Sequence, residues 1–108
     1  MRDHVKGSAL TKTSFYILLA LYKPNHGYGF MQFIEEKTHG RLTFGAGTLY
    51  SALKPLQQKG WIETYGASSE RKKEFLITDS GRHICQSERH RLQELIQTAT
   101  QIMKEEHE

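Results

Sequence analysis

Two groups of side chains in this sequence have the types and spacing to do chemistry. In the first, Cys85 stands near His83 and His90, and thiolate chemistry needs such a thiol beside an oriented base. Neither histidine has an Asn or Asp placed to orient it, and Cys85 lies by an apolar stripe, so a buried structural thiol is the better reading. His83 and His90, without further Cys or carboxylate ligands at suitable spacing, make a weak metal signal. The glycine turns at 27–29 and 45–47 lack the length and the following Lys-Ser/Thr of a phosphate loop. No enzyme activity, metal or cofactor is expected from these residues.

The second group points to nucleic acid. Ser51, Lys54 and Gln58 share one face of a helical stretch and carry donors and acceptors suited to base edges or phosphates. Thr48 and Tyr50 lie on its flanks, about 100° either side of Leu49. Arg71, Lys72 and Lys73 supply phosphate charge from a loop that follows. Tyr28, at the start of an earlier helix with free N–H groups, is placed to fix a backbone phosphate.

The elements that must position these residues follow from apolar spacing and from stop signals. Thr11 or Thr13 caps a first helix, SFYILLALYK, that is apolar on nearly every side until Pro24. Such a helix needs cover beyond the core of one small chain. Asn25, His26 and Gly27 read as a turn, and a second helix, GYGFMQFIEEKT, stops at Gly40. Arg41 to Phe44 is a short extended piece. In the third helix Leu49, Ala52, Leu53 and Leu56 follow the i, i+3, i+4, i+7 pattern of a buried face. Gly60 ends it, and Trp61–Tyr65 and Lys73–Ile77 read as a β-hairpin. Thr78 caps a final helix with Asp79 in its first turn, running to His107. Its apolar residues, Leu92, Leu95, Ile96, Ala99, Ile102 and Met103, repeat through two heptads as a narrow seam for a partner subunit.

Composition sets outer limits. A chain of 108 residues fits one domain with a modest core. No apolar run reaches the roughly 18 to 20 residues of a membrane span, and Met1–Leu10 is too polar for a signal peptide. With one cysteine and no internal disulfide, a cytoplasmic protein with no membrane partner is expected. Residues 1–77 carry 11 Lys+Arg against 6 Asp+Glu, whereas residues 78–108 carry 4 against 6, so the basic excess lies with the reading unit.

These motifs resemble the PadR family of transcriptional regulators. The match runs through HGYGFMQFIEE at 26–36, GTLYSALKPLQQKGWI at 47–62 and RKKEFLITDSGR at 71–82. The resemblance implies a mainly α fold with a small β-hairpin, a winged helix-turn-helix over residues 1–77 and a long C-terminal dimerisation helix over 78–108. It also implies a homodimeric repressor on double-stranded, pseudo-palindromic operator DNA. Thr48 and Tyr50 would touch DNA, with Tyr28 and Arg71–Lys73 on the backbone; the helical wheel adds Ser51 and Lys54. The last helix would pack on the partner's first and last helices through Phe15, Tyr16, Leu19 and the heptad stripe. Short-tailed members of this type sense aromatic or drug-like compounds, or envelope stress, near that seam. The rival reading is a winged-helix protein-interaction module that dimerises without specific DNA binding.

Two features depart from the family pattern. Pro55 lies inside the recognition helix, where it removes the bond to the Ser51 carbonyl at a cost of about 3 kcal/mol, so a kink or early loosening is predicted. The final helix has no tryptophan, so stacking of a ligand on that side chain does not transfer.

Overall fold

The structure, a computed structural model, describes residues 10–67 and 73–106. Its elements in chain order are α1 (Lys12–Ala20), β1 (Asn25–His26), α2 (Gly27–Lys37), α3 (Ala46–Gln58), β2 (Ile62–Ala67), β3 (Lys73–Ile77) and α4 (Asp79–Glu106). The expected end of the last helix, His107, lies outside the described residues. The helices α1, α2 and α3 pack on one another and on the sheet around Ile17, Leu18, Leu21, Phe30, Ile34, Leu49, Leu53, Leu56, Ile62 and Ile77, all buried. These include the predicted i, i+3, i+4, i+7 face of α3 except Ala52, which is half-buried against it.

Local chemistry explains the boundaries. Thr11, not Thr13, caps α1, its hydroxyl accepting from the Ser14 N–H at 3.0 Å. The helix stops earlier than the run to Pro24 implied, at Ala20, and the Leu21 carbonyl instead accepts from the Ile77 N–H at 2.9 Å. Two helices end in the same way. After α3, Trp61 N–H donates to Leu56 O at 3.1 Å and Gly60 N–H to Gln57 O at 3.0 Å, with Gly60 at φ 76°. After α2, Gly40 N–H donates to Glu35 O at 2.8 Å and His39 N–H to Glu36 O at 3.1 Å, with His39 at φ 54°. Both are paired carbonyl-satisfying turns in which a residue takes the left-handed conformation.

The expected turn at Asn25–Gly27 is corrected. Asn25 and His26 form an edge strand, paired antiparallel with β3 at Asn25↔Phe75 and His26↔Glu74, so the hairpin becomes a three-stranded sheet of order β1-β3-β2. Pairing satisfies backbone groups that a free turn would leave to water. The β2 strand also runs later than predicted, because a bulge between Thr64 and Gly66 extends its pairing to Ala67↔Lys73.

Pro55 does not loosen α3, which continues unbroken to Gln58 and is closed by Lys59 N–H donating to Pro55 O at 3.0 Å. Ser51 is exposed, so its unpaired carbonyl meets water, which removes the need for the chain to deform there.

The N-cap of α2 is His26, whose Nδ1 accepts from the Gly29 N–H at 3.2 Å. His26→Ala is expected to cost about 1 kcal/mol, measured as a lower urea midpoint at neutral pH. An unchanged midpoint would remove the cap from this account.

Candidate nucleic-acid interface and helix seam

The N-terminal ends of α2 and α3 meet through one side chain. Tyr50 projects from α3 so that its phenol lies against Gly27, where any Cβ would collide with the hydroxyl and the ring. Glycine at 27 is therefore a condition for the ring to cross between the helices. Beside it, Asn25 approaches Gly29 closely enough to exclude a Cβ there as well, while its Oδ1 accepts from the His26 N–H at 2.9 Å. Tyr50 and Tyr28, the residue after Gly27, remain 50% and 62% exposed.

The sheet ties the hairpin to the same place. His26, directly before α2, pairs with Glu74, and Lys73 is the first residue of β3. Lys73 is half-buried and faces Ala67 across the strand pair. The other two predicted wing cations, Arg71 and Lys72, lie outside the described residues. Along α3, Thr48, Ser51 and Lys54 are exposed opposite the buried Leu49, Leu53 and Leu56. Ser51 Oγ donates to the Gly47 carbonyl at 2.6 Å, which commits its proton and leaves it an acceptor toward a ligand.

The electrostatics of the two helix ends favour an anion. Neither α2 nor α3 has an acidic residue in its first turn, and Gly45 at the α3 N-cap offers no side-chain bond. Among the described residues the partial positive end of α3 is thus uncompensated, and that of α2 is met by the neutral His26 cap rather than by an acid. By contrast α4 carries Asp79 in its first turn, and the Thr78 hydroxyl accepts from the Gly81 N–H at 3.1 Å.

Sequence reasoning missed Tyr65, which sits at the β2 bulge and is 60% exposed. Gly66 directly after it was the available signal, since an isolated glycine in a strand marks a bulge.

The residues expected at a partner seam lie on one stripe of α4 in two environments. On α4, Gly81, Cys85 and Glu88 are buried and Leu92 is half-buried beside α1. The same stripe continues through Leu95, Ile96, Ala99, Ile102 and Met103 in the open, with Leu95, Ile96, Ile102 and Met103 between 57% and 65% exposed. On α1, Phe15 and Tyr16 are half-buried and Leu19 is 37% exposed. They line a cleft of about 360 Å³ together with Leu10, Arg91 and Leu92. Its polar lining includes Glu88, a buried acid that sequence reasoning missed although a Glu-x-x-Arg pair on a helix was in view.

Arg91 binds that carboxylate through both nitrogens, Nε at 3.1 Å and Nη2 at 2.5 Å. These bonds hold the Glu88 carboxyl below its ordinary range, against burial, which pushes it up; the Leu10 N–H adds a smaller downward pull. A depressed folded-state value contributes stability above the ordinary value of 4.5 and loses it as pH falls through the folded value. Glu88→Gln is expected to cost about 1 kcal/mol at pH 7 and to flatten the fall in stability below that value, as urea titrations at several pH values would report. An acid limb identical to wild type would rule the pair out as its source.

Burial pushes the Cys85 thiol up, and a hydrogen bond with Tyr22 only partly offsets this. The thiol is thus protonated and enclosed at neutral pH, unlike a nucleophile. No cluster of His, Cys, Asp or Glu that could hold a metal ion occurs among the described residues. No helix among them is long and apolar enough to cross a membrane.

Known proteins place this geometry. Comparison of the sequence with curated proteins gives no match. The chain is similar to the solved structure of a transcriptional regulator from Clostridium thermocellum, at 26% identity and a TM-score of 0.63, covering 86% of this chain and 90% of that one. It shares its fold with a PadR family transcription regulator from Clostridium difficile, at 20% identity and a TM-score of 0.71, covering 86% and 99%. A third similar structure is Bacillus subtilis PadR in complex with operator DNA, at 25% identity and a TM-score of 0.59, covering 70% of this chain and 45% of that one. The model of the transcriptional regulator PadR-like family matches residues 17–87, and with its winged helix the chain belongs to that family of transcription regulators.

Proposed function

We propose that the protein is a homodimeric repressor that binds a pseudo-palindromic operator, with α3 of each copy in successive major grooves. Half-sites would lie about 34 Å apart. The observation that carries this reading is the Tyr50–Gly27 contact, which sets Tyr50 and the exposed face of α3 beside the start of α2, where Tyr28 follows Gly27, at two helix N-termini that carry no acidic residue in their first turns. In that arrangement Thr48, Tyr50, Ser51 and Lys54 face the groove, while Tyr28 and the wing cations Arg71, Lys72 and Lys73 hold phosphates. The operator complex of the Bacillus subtilis relative supports the same partner for this chain. The exposed heptad stripe of α4 supports the dimer, because an apolar seam of that length is stable only when covered. The cleft beside Phe15 and Tyr16 has the size and the apolar wall for an aromatic effector that would relieve repression.

A gel shift with DNA from the protein's own upstream region tests the reading. A sequence-preferring complex at moderate salt is expected. Its absence would favour a protein-interaction module instead. In the same assay Lys72→Ala combined with Lys73→Ala is expected to weaken binding and to lower the salt slope by about 0.9 for each phosphate no longer neutralised. Unchanged affinity and slope would remove the wing from the interface.

A further inference from the structure

Thr78 stands between β3 and α4 and does more than cap the helix. Its hydroxyl accepts from the Gly81 N–H at 3.1 Å, in the first turn of α4, and donates to the Gly60 carbonyl at 2.7 Å, in the turn that ends α3. Its own N–H donates to the Trp61 carbonyl at 2.9 Å. One residue thus ties the end of α3 directly to the start of α4. The covalent path between them is long by comparison, because it runs from Gly60 through the whole hairpin to Ile77. Gly60 itself holds φ 76°, a conformation that glycine enters and leaves at little cost, so the backbone alone does not fix the direction of α3.

The base of α4 is also where that helix is held. Its buried residues are Gly81, Cys85 and Glu88, all in the first half, and Gly81 lies against the Trp61 carbonyl. Farther along, α4 borders the cleft of about 360 Å³ rather than closed packing, and Leu95, Ile96, Ile102 and Met103 stand in the open. A helix of 28 residues magnifies any change at its base. Over its length of roughly 42 Å, a tilt of about 5° shifts the far end by about 4 Å, as much as the advance of about 3.4 Å for one base pair.

We propose that the Thr78 hydroxyl is a positioning group: by clamping the Gly60 carbonyl to the first turn of α4 it fixes the angle between α3 and α4, and thereby the half-site spacing that the protein accepts. The inference rests on the homodimer reading, in which α4 joins the copies and α3 of each reads one groove. Thr78 touches no DNA in this arrangement and acts through α3. Its two bonds have separable roles. The accepted bond from Gly81 caps α4 and serves stability, whereas the donated bond to Gly60 serves the angle.

The test is anisotropy titration of the full chain on an operator taken from a bound genomic fragment, with the half-site spacing kept, lengthened or shortened by one base pair. Wild type is expected to prefer one spacing about tenfold over its neighbours. Thr78→Asp keeps an acceptor for the Gly81 N–H but, when ionised, has no proton for the Gly60 carbonyl. It is expected to reduce the preference to about threefold or less, a ratio from which any uniform effect of the added charge cancels. Thr78→Val loses both bonds and should level the preference in the same way, with a lower urea midpoint besides. Thr78→Ser keeps both bonds and should retain the preference. Wild-type preference in the Asp or the Val variant, or a Ser variant levelled like them, overturns this inference and leaves the dimer standing. A wild-type chain that binds as a monomer, or with no preferred spacing, overturns the homodimer reading and this inference together.

Discussion

Tyr50→Ala is expected to lower affinity for the specific operator by about a hundredfold, roughly 2.7 kcal/mol, while leaving the fold and the dimer intact. Two effects combine. The ring leaves the exposed flank of α3 proposed to face the groove, and the Gly27 surface it covered is vacated, so the ends of α2 and α3 are no longer tied. Because the ring is 50% exposed, little core packing goes with it. Tyr50→Phe keeps the crossing ring and removes only the hydroxyl, so it should cost closer to tenfold. Anisotropy titrations with labelled operator would separate the three proteins. An alanine variant within about threefold of wild type would remove Tyr50 from the centre of the site.

The second large effect concerns the joint that holds the long helix. Gly81 in the first turn of α4 sits so close to the Trp61 carbonyl and the Ile77 side chain that a Cβ cannot be placed there without displacing backbone. That carbonyl is already engaged, accepting from the Thr78 N–H at 2.9 Å. In an open helix, glycine to alanine gains about 1 kcal/mol. Here Gly81→Ala is expected to lose about 2 to 3 kcal/mol, because overpacking against backbone has no cheap relief. The inverted sign makes the result diagnostic. A urea midpoint equal to or above wild type would mean that α4 does not seat on β2 and β3 in this way.

These two glycines also mark where the sequence stopped being legible. The periodic faces could be read directly: Leu49, Leu53 and Leu56 on α3, and the stripe on α4, are local patterns that follow from 3.6 residues per turn. The two-residue strand at Asn25–His26 could not, since it exists only because β3, nearly fifty residues later in sequence, lies alongside it. The same holds for Gly27, whose need for glycine comes from Tyr50 in another helix. Pro55 misled for the opposite reason. Its general cost in a helix is local, but Ser51 is exposed and water absorbs it. Glu88 escaped because it precedes the apolar repeat that starts at Leu92 and its charge reads as solvated, whereas the Arg91 guanidinium completes its burial.

Of the candidate reading face, the exposed α3 residues were legible from the helical wheel, and Tyr28 from its place at a helix start. What the wheel could not supply was their convergence. Tyr65 was hidden by the bulge that turns it outward.

The central claim, two copies reading two successive major grooves through α3, is tested most directly by hydroxyl-radical footprinting on a bound genomic fragment. The account predicts two protected patches related by a dyad and centred about 10 base pairs apart, both lost with Tyr50→Ala. A single patch without symmetry, or protection that survives Tyr50→Ala unchanged, would contradict it.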